Sequence, residues 1–274
     1  AIRRKPMNGL VIYDGPSQWD DIPIVVIVTG ISRPSSNPKT GPMLQAWILM
    51  RDIHPHEAVV SGADESICGH CTHRRDEEGN RTCYVSMNAP GAVWKTYRAG
   101  KYRSVSPREA GSMIARRSLR IGAYGDPAMV PIDVWLQLIR RCSGTTGYTH
   151  QWREMPVEYR EFCMASVETE EEAAEAMSLG YRTFRCISKE ETLLDKEILC
   201  PASEEAGKLT TCDRCGLCGG SMSERTNRIP TIAITIHGSG ARHFKSQSMR
   251  KGTEANDTLQ ILEQTESSRG LLGK

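Results

Sequence analysis

Short runs of β-branched residues recur along the chain, and helical patterns follow several of them. Near the N-terminus such runs span residues 10–13, 24–29 and 45–50, and the first two are bounded by Pro, Gly or Asp. Runs of this length and composition are typical of β-strands. The pattern therefore predicts a β-rich N-terminal extension over residues 1–60.

Further along, predicted strands alternate with predicted helices. Ser106-Pro107-Arg108-Glu109 is a capping box that predicts a helix from Pro107 to about Arg117. A second capping box, Thr169-Glu170-Glu171-Glu172, predicts a helix that ends after Leu179. Between them, a helix has apolar side chains on one face at Ile132, Trp135, Leu136 and Ile139. Strand-like runs cover residues 119–123, 145–149, 162–167, 181–187 and 231–236.

Alternation of strands and helices is typical of parallel βα units, so the predicted fold class is α/β. We expect a partial or complete TIM-like βα barrel. The predicted domains are the N-terminal β-rich extension, a barrel-like domain with two cysteine groups over residues 61–240, and a polar C-terminal tail over residues 241–274.

The composition indicates a soluble protein of a reducing compartment. Apolar residues make up 39% of the chain, and no run approaches the roughly 18–20 apolar residues that span a bilayer. Pro6, Asn8 and Asp14 interrupt any apolar core of a signal peptide. We therefore expect a cytoplasmic protein with no membrane partner. The sequence leaves its oligomeric state open.

Ten cysteines in such a chain point to metal rather than to a disulfide framework. The downstream group consists of four of them, at spacings x11, x2 and x2: Cys200, Cys212, Cys215 and Cys218. Four thiolates suffice for a tetrahedral zinc site or for a [4Fe-4S] cluster. The two consecutive Cys-x2-Cys spacings are similar to those of bacterial ferredoxins, which favours the cluster, and zinc stays as the alternative.

The upstream group is Cys68, Cys71 and Cys83, with His70 and His73 close by. A polar turn at residues 76–81 is expected to bring Cys83 back towards the first two cysteines. Three thiolates and one histidine would complete a zinc site, whereas three thiolates alone could hold a cluster with one open iron. The remaining cysteines, Cys142, Cys163 and Cys186, are predicted to be buried thiols.

Polar residues follow several of the predicted strands. Asp126, His150, Glu168 and His237 each come directly after or shortly after a strand. Catalytic groups of βα barrels collect on the loops that follow the strands. We therefore interpret these four residues as candidate catalytic groups.

The net charge of +2 conceals a basic segment. Between Lys95 and Arg120 the chain has eight basic residues and one acid, Glu109. Basic patches attract polyanions, so this segment is a candidate for contact with nucleic acid. An ordinary solvated helix face is the alternative interpretation.

The order of these elements resembles the radical S-adenosylmethionine (SAM) enzymes, whose partial βα barrel begins with a cysteine loop that holds a [4Fe-4S] cluster. In that family a Gly-Gly-Glu-Pro strand end contacts SAM, and Tyr124-Gly125-Asp126-Pro127 is similar to it, with Tyr124 in place of the first glycine. Ser166-Val167-Glu168 is similar to a polar position after the fourth strand. The family's Cys-x3-Cys-x2-Cys is replaced by the upstream group, and the downstream group is similar to an auxiliary-cluster extension.

The resemblance implies an iron–sulfur enzyme with one or two clusters and with SAM contacts at Tyr124, Gly125, Asp126 and Pro127. The cysteine loop, the strand end and the C-terminal cysteine group are also similar to uncharacterised proteins encoded by bacteriophages, which implies host cytoplasm as the location. The first hypothesis is therefore a phage-type iron–sulfur protein that acts on nucleic acid. The alternatives are a zinc-stabilised nucleic-acid-binding protein and a metal-dependent nuclease.

Overall fold

Two sheets rich in parallel strands form the centre of the computed structural model, which describes residues 7–221, 230–238 and 240–244. The strands in these ranges are β1 (Gly9–Pro16), β2 (Pro23–Thr29), β3 (Leu44–Met50), β4 (Arg103–Ser104), β5 (Ser118–Tyr124), β6 (Gly144–Thr146), β7 (Tyr148–Thr149), β8 (Met164–Val167), β9 (Thr183–Ile187), β10 (Glu197–Leu199) and β11 (Thr231–Thr235). The helices are α1 (Pro55–Ser61), α2 (Glu65–Cys68), α3 (Asn88–Arg98), α4 (Pro107–Met113), α5 (Ile132–Ile139), α6 (Glu170–Ser178) and α7 (Cys212–Cys215). The predicted α/β class is confirmed.

The first sheet has the strand order β4-β1-β2-β3-β5-β6. Strands β1, β2 and β3 form an antiparallel meander, and β3, β5 and β6 run parallel to one another. The side chains from Ile24 to Thr29 of β2 are all buried, which explains why this strand reads as one unbroken β-branched run. The three N-terminal strands that the sequence predicts are confirmed.

The second sheet is parallel throughout, with the order β10-β11-β9-β8-β7. A single residue, Gly147, separates β6 of the first sheet from β7 of the second. A Cβ atom at Gly147 would lie 2.9 Å from the Cys163 sulfur and 3.2 Å from the Phe162 carbonyl oxygen. The strand predicted over residues 145–149 is therefore divided at a glycine where the two sheets meet.

Helix α4 ends at Met113, before the predicted end near Arg117. Arg116 has a φ of 63°, in the left-handed region, and its N–H donates to the carbonyl of Arg141. A helix cannot continue through such a residue. Sequence pattern alone could not show this, because the carbonyl partner belongs to a distant segment.

Helix α3 was not among the predicted elements. Its N-cap residue is Met87, which makes no side-chain capping hydrogen bond, so the usual sequence signal for a helix start is missing. The helix packs Val93 into the core, and the Trp94 indole N–H donates to the carbonyl of Met50 at the end of β3. Tertiary contacts therefore supply the stability that capping does not.

The predicted division into three segments stays a prediction. Strand β3 of residues 1–60 pairs directly with β5 of residues 61–240. Most of the predicted tail, from residue 245 onward, lies outside the described residues. Within the described ranges, none of the helices has the length and apolar character needed to cross a membrane.

Candidate cysteine-lined metal site

The upstream cysteine group lies on a loop that folds back on itself after β3. Cys68 is the last residue of α2, and the N–H of Cys71 donates to the Cys68 carbonyl at 3.3 Å. A bridge between Arg75 and Arg81 then reverses the chain. The N–H of Cys83 donates to the His73 carbonyl at 3.0 Å. The predicted return of Cys83 to the first two cysteines is confirmed.

Two arginines fix the shape of this loop. Arg74 donates to the Asp64 carboxylate at 2.9 Å and to the Gly69 carbonyl at 3.2 Å. Arg81 donates to the carbonyls of Cys83 and Val85, both at 3.0 Å. Because guanidinium groups hold several backbone carbonyls here, the two arginines help to fix the backbone that carries the cysteines.

The downstream cysteine group is attached to the sheets at several points. The Cys200 N–H donates to the Ala233 carbonyl of β11 at 2.8 Å. Cys212 and Cys215 begin and end the single turn of α7, and the Cys212 N–H donates to the Lys39 carbonyl at 2.9 Å. The Cys218 carbonyl accepts from Gly147 at 3.2 Å. A strand of the second sheet, the loop before β3 and the junction between the two sheets therefore position this group.

Both cysteine groups line one cavity of about 330 Å³. The seven cysteines of the two groups contribute to its wall, together with Cys186, whose buried thiol the sequence did not connect with the site. All ten cysteines lie in the described part of the chain, and none forms a disulfide. The structure thus brings together two groups that are far apart in the sequence.

Most of the site residues that the sequence predicts at strand ends line this cavity, but not all of them do. Tyr124, Gly125, Asp126, His150 and His237 line the cavity. Pro127 does not, because it starts a buried 3-10 turn behind the strand end. Glu168 lines a smaller neighbouring cavity of about 90 Å³, which it shares with His150. Catalytic roles for these residues stay predictions.

The thiols are costly to ionise without a compensating cation. Burial, and next the neighbouring Cys71, raises the pKa of Cys68. Burial likewise raises the pKa of Cys212, with Cys200 as the next cause, and it raises the pKa of Cys218 to about 12. A metal replaces the thiol protons and neutralises the thiolates. Thiols that are buried or half-buried in two groups therefore suit a bound metal or cluster.

Positive and polar side chains complete the cavity wall. Lys39, Arg81 and Arg120 lie along it, and Arg120 donates to the Tyr84 hydroxyl. The buried hydroxyl of Tyr124 has no hydrogen-bond partner among the described residues. Burial, and next Cys68, holds the pKa of Tyr124 well above its usual range, so it stays a neutral donor. The three basic side chains and the Tyr124 hydroxyl therefore favour a negatively charged molecule or cluster in the cavity.

Gly125 allows the strand end to pass close to its neighbours. Its φ is 83°, and a Cβ atom there would lie 2.7 Å from the Ile48 Cβ and 2.9 Å from the Ile48 carbonyl oxygen. Only glycine fits this combination of conformation and crowding. Glycine is therefore required at residue 125, because the chain after β5 packs closely against β3.

Asp126 supports the loops around the cavity. Its N–H donates to the Ile67 carbonyl at 2.7 Å, and its two carboxylate oxygens accept from Ala128 at 2.9 Å and from His150 at 2.8 Å. Burial raises the pKa of Asp126, although these N–H groups oppose the effect. Asp126 thus links the upstream cysteine loop, through its backbone N–H, to the residue after β7, through its carboxylate.

Three further side chains meet beside Cys71. His73, His150 and Glu168 offer ligand atoms that lie within 4.8 Å of one another. Burial lowers the pKa of His150, but Cys71 and Glu168 outweigh it and raise this pKa well above its usual value. Burial raises the pKa of Glu168, yet the two imidazoles hold it well below its usual range.

The two histidines of the upstream loop have different surroundings. His70 is exposed and its ring meets Trp19 edge to face, with ring centroids 4.6 Å apart. His73 is buried and faces Glu168. Sequence spacing could not separate them, because each lies next to a cysteine ligand candidate. The structure selects His73.

The basic segment between Lys95 and Arg120 does not form one uniform surface. Arg98 pairs with Asp52, Arg103 pairs with Glu109, Arg117 donates to the carbonyls of Gly30 and Ile31, and Arg120 faces the cavity. Four members are exposed without these contacts: Lys95, Lys101, Arg108 and Arg116. About half of the segment is therefore available to a polyanion.

Comparison of the chain with protein-family models, with curated proteins and with solved structures finds no match. The resemblance to radical SAM enzymes and to phage-encoded proteins stays a prediction.

Proposed function

We propose that the chain is an iron–sulfur enzyme of radical SAM-like architecture, in which the two cysteine groups hold [4Fe-4S] clusters on one substrate cavity. The observation that carries the proposal is the single cavity lined by all seven cysteines. Purely structural zinc sites are closed by their four ligands and need no shared cavity. A shared cavity suits redox centres that act on one bound molecule.

The donor sets suit this assignment. Cys200, Cys212, Cys215 and Cys218 would hold one cluster with four thiolates. Cys68, Cys71 and Cys83 would hold another with three, and a cluster held in this way supplies an open iron for substrate or cofactor. Lys39, Arg81 and Arg120 on the cavity wall offset the negative charge of thiolate-ligated clusters.

The strand order supports a partial barrel. Strands β3, β5 and β6 are parallel neighbours in the first sheet, and β7, β8, β9 and β11 are parallel neighbours in the second. Gly147 alone separates the two series. We propose that they form one curved parallel sheet whose strand ends surround the cavity, as in a partial βα barrel.

SAM is the cofactor that the resemblance implies, and the strand end fits it only in part. Tyr124 and Gly125 line the cavity, and the Tyr124 hydroxyl is a donor without a partner among the described residues. Both carboxylate oxygens of Asp126 already accept backbone N–H groups. The proposal therefore assigns no SAM contact to the Asp126 side chain or to Pro127.

Anaerobic purification followed by iron and acid-labile sulfide analysis tests the proposal. We expect a brown protein with two clusters per chain. Cys71→Ser and Cys215→Ser should each remove a separate share of the iron, and Cys142→Ser, a cysteine outside the cavity, should remove none. A colourless protein that contains zinc and no iron would refute the proposal and favour the zinc-stabilised alternative.

We further propose that the enzyme acts on nucleic acid. The support is the exposed set of Lys95, Lys101, Arg108 and Arg116. Replacing Arg108 and Arg116 by Gln should weaken binding to duplex or single-stranded DNA at low salt. The salt dependence should also become shallower, by a slope of roughly 1 for each phosphate that the variant no longer neutralises.

Lys189→Gln, an exposed lysine outside the basic segment, serves as the control and should bind like the unaltered chain. Equal affinity and equal salt dependence of the double variant and the control would exclude this surface as the nucleic-acid interface.

A further inference from the structure

A group of two histidines and one carboxylate, of which His73 and Glu168 are buried and His150 is half-buried, lies between the cysteine-lined cavity and its smaller neighbour. The Nε2 atom of His73 is 3.2 Å from Oε1 of Glu168, and the Nε2 atom of His150 is 3.5 Å from the same oxygen. Two ligands of a tetrahedral zinc ion, each at about 2.0–2.1 Å from the metal, lie about 3.3 Å apart. Both nitrogen–oxygen distances are therefore close to those expected around one ion, and all three ligand atoms lie within 4.8 Å of one another.

A hydrogen bond orients the His73 ring so that Nε2 faces Glu168. Its Nδ1 is hydrogen-bonded to the Thr82 hydroxyl at 2.7 Å, which directs Nε2 towards Glu168. His73 is buried, and its Nε2 has no hydrogen-bond partner of acceptable geometry in the described part of the chain. Histidines that bind metals commonly use one ring nitrogen for the metal and the other for a neighbouring group. The contact with Thr82 has this form.

The other two residues are also held in place. Oε1 of Glu168 accepts from the Thr72 hydroxyl at 3.0 Å, and the Glu168 N–H donates to Glu172 at 2.9 Å. The His150 N–H donates to Asp126 at 2.8 Å at the end of β7. Glu168 follows directly after β8, the neighbour of β7. Adjacent strand ends therefore present His150 and Glu168 to the loop that carries His73.

We propose that His73, His150 and Glu168 bind one divalent transition-metal ion that is separate from the metal held by the cysteines. Two histidines and one carboxylate are the ligand set of many zinc hydrolase sites and of non-haem iron(II) sites. The ion would lie next to the upstream cysteine group, because the Cys71 sulfur is 3.8 Å from Nε2 of His150. The neighbouring cavity of about 90 Å³ is lined by His150 and Glu168, so there is also open space beside these two proposed ligands.

Manganese(II) is a suitable probe, since carboxylate and imidazole ligands accept it more readily than thiolates do. The full-length protein is treated with EDTA and titrated anaerobically with Mn²⁺, and the free ion is counted by its EPR signal. We expect one Mn²⁺ per chain. Glu168→Gln and His73→Gln should each bind it at least tenfold more weakly, whereas His56→Gln, at an exposed helix position, should bind it unchanged.

A wild-type chain that binds no Mn²⁺, or variants that bind it as wild type does, would overturn the proposal and leave a His–Glu–His ion-pair network. A second measurement does not depend on variant folding. Pulsed EPR of Mn²⁺ bound to the wild-type chain should detect imidazole nitrogen, and its absence would also overturn the proposal. Sulfide content and visible absorbance report the clusters independently, so the two proposals can fail separately.

Discussion

Replacement of Gly125 by Ala tests how closely the strand end must approach β3. The new residue would have to adopt a φ of 83°, and its Cβ would meet Ile48 at 2.7 Å from Cβ and 2.9 Å from the carbonyl oxygen. A left-handed conformation costs an L-residue roughly 1–2 kcal/mol. Overpacking of a buried position adds roughly 1–3 kcal/mol. We therefore expect a loss of about 2–5 kcal/mol in the free energy of unfolding.

Gly62 provides a matched control. It has a φ of 80°, and a Cβ atom there would meet nothing within 4 Å. Gly62→Ala should therefore show only the backbone cost of roughly 1–2 kcal/mol. The difference between the two variants isolates the crowding against Ile48.

Urea unfolding followed by circular dichroism measures both variants in the same metal state. With an m-value of about 3 kcal/mol per molar urea, Gly125→Ala should lower the midpoint by roughly 0.7–1.7 M. If the cavity holds the clusters proposed above, the iron content of this variant should also fall, because Gly125 lies on the cavity wall against the Ile67 carbonyl of the cysteine loop. Equal midpoints for the Gly125 and Gly62 variants would refute the inferred close packing.

Three further substitutions test individual interactions through the free energy of unfolding. Asp126→Asn should cost about 1–3 kcal/mol, because an amide can accept only one of the two N–H groups that the carboxylate oxygens bind. Arg185→Met should cost about 3–5 kcal/mol, since it leaves the fully buried Glu197 carboxylate without its guanidinium partner. Thr169→Ala should cost about 1 kcal/mol, because it removes the side-chain cap of α6.

Each of these has an outcome that contradicts it. An Asp126→Asn variant as stable as wild type would show that the carboxylate is not needed to join the loops. Arg103→Met, which breaks an exposed pair with Glu109, should lose at most about 1 kcal/mol, and an equal loss in Arg185→Met would show that burial is not decisive. Thr169→Ser keeps the hydroxyl and should retain most of the capping energy.

Regular patterns with clear boundaries were sufficient to predict much of the fold. Helix α6 begins at the predicted capping box, where Glu172 donates its N–H to Thr169 at 2.9 Å, and β2 lies where the β-branched run predicts it. Predictions failed where a contact with a distant segment determines where a helix or strand ends. Arg116, which donates to the Arg141 carbonyl, prevents α4 from reaching its predicted end, and Gly147 divides a strand where it lies close to Cys163.

The candidate site also combines residues that local sequence patterns indicate with residues that only contacts between distant segments identify. The four cysteines of the downstream group and the three of the upstream group could be grouped from the sequence because their spacing is a local property of the chain. His73 was not distinguishable from His70, since the choice depends on Glu168, which follows a strand much later in the sequence. Cys186 gave no signal, because it lies within β9 as an ordinary buried residue would.

The sequence by itself determined the α/β class, the spacing of the two cysteine groups and the carboxylate and histidine that follow strands, because each is a property of a short segment. Only the tertiary structure decided that the two cysteine groups share one cavity and that His73, His150 and Glu168 meet beside it. The physical reason is the parallel pairing of β5 with β6, of β7 with β8 and of β8 with β9. Parallel strands bring the ends of distant segments to one edge, and no local pattern records which ends become neighbours.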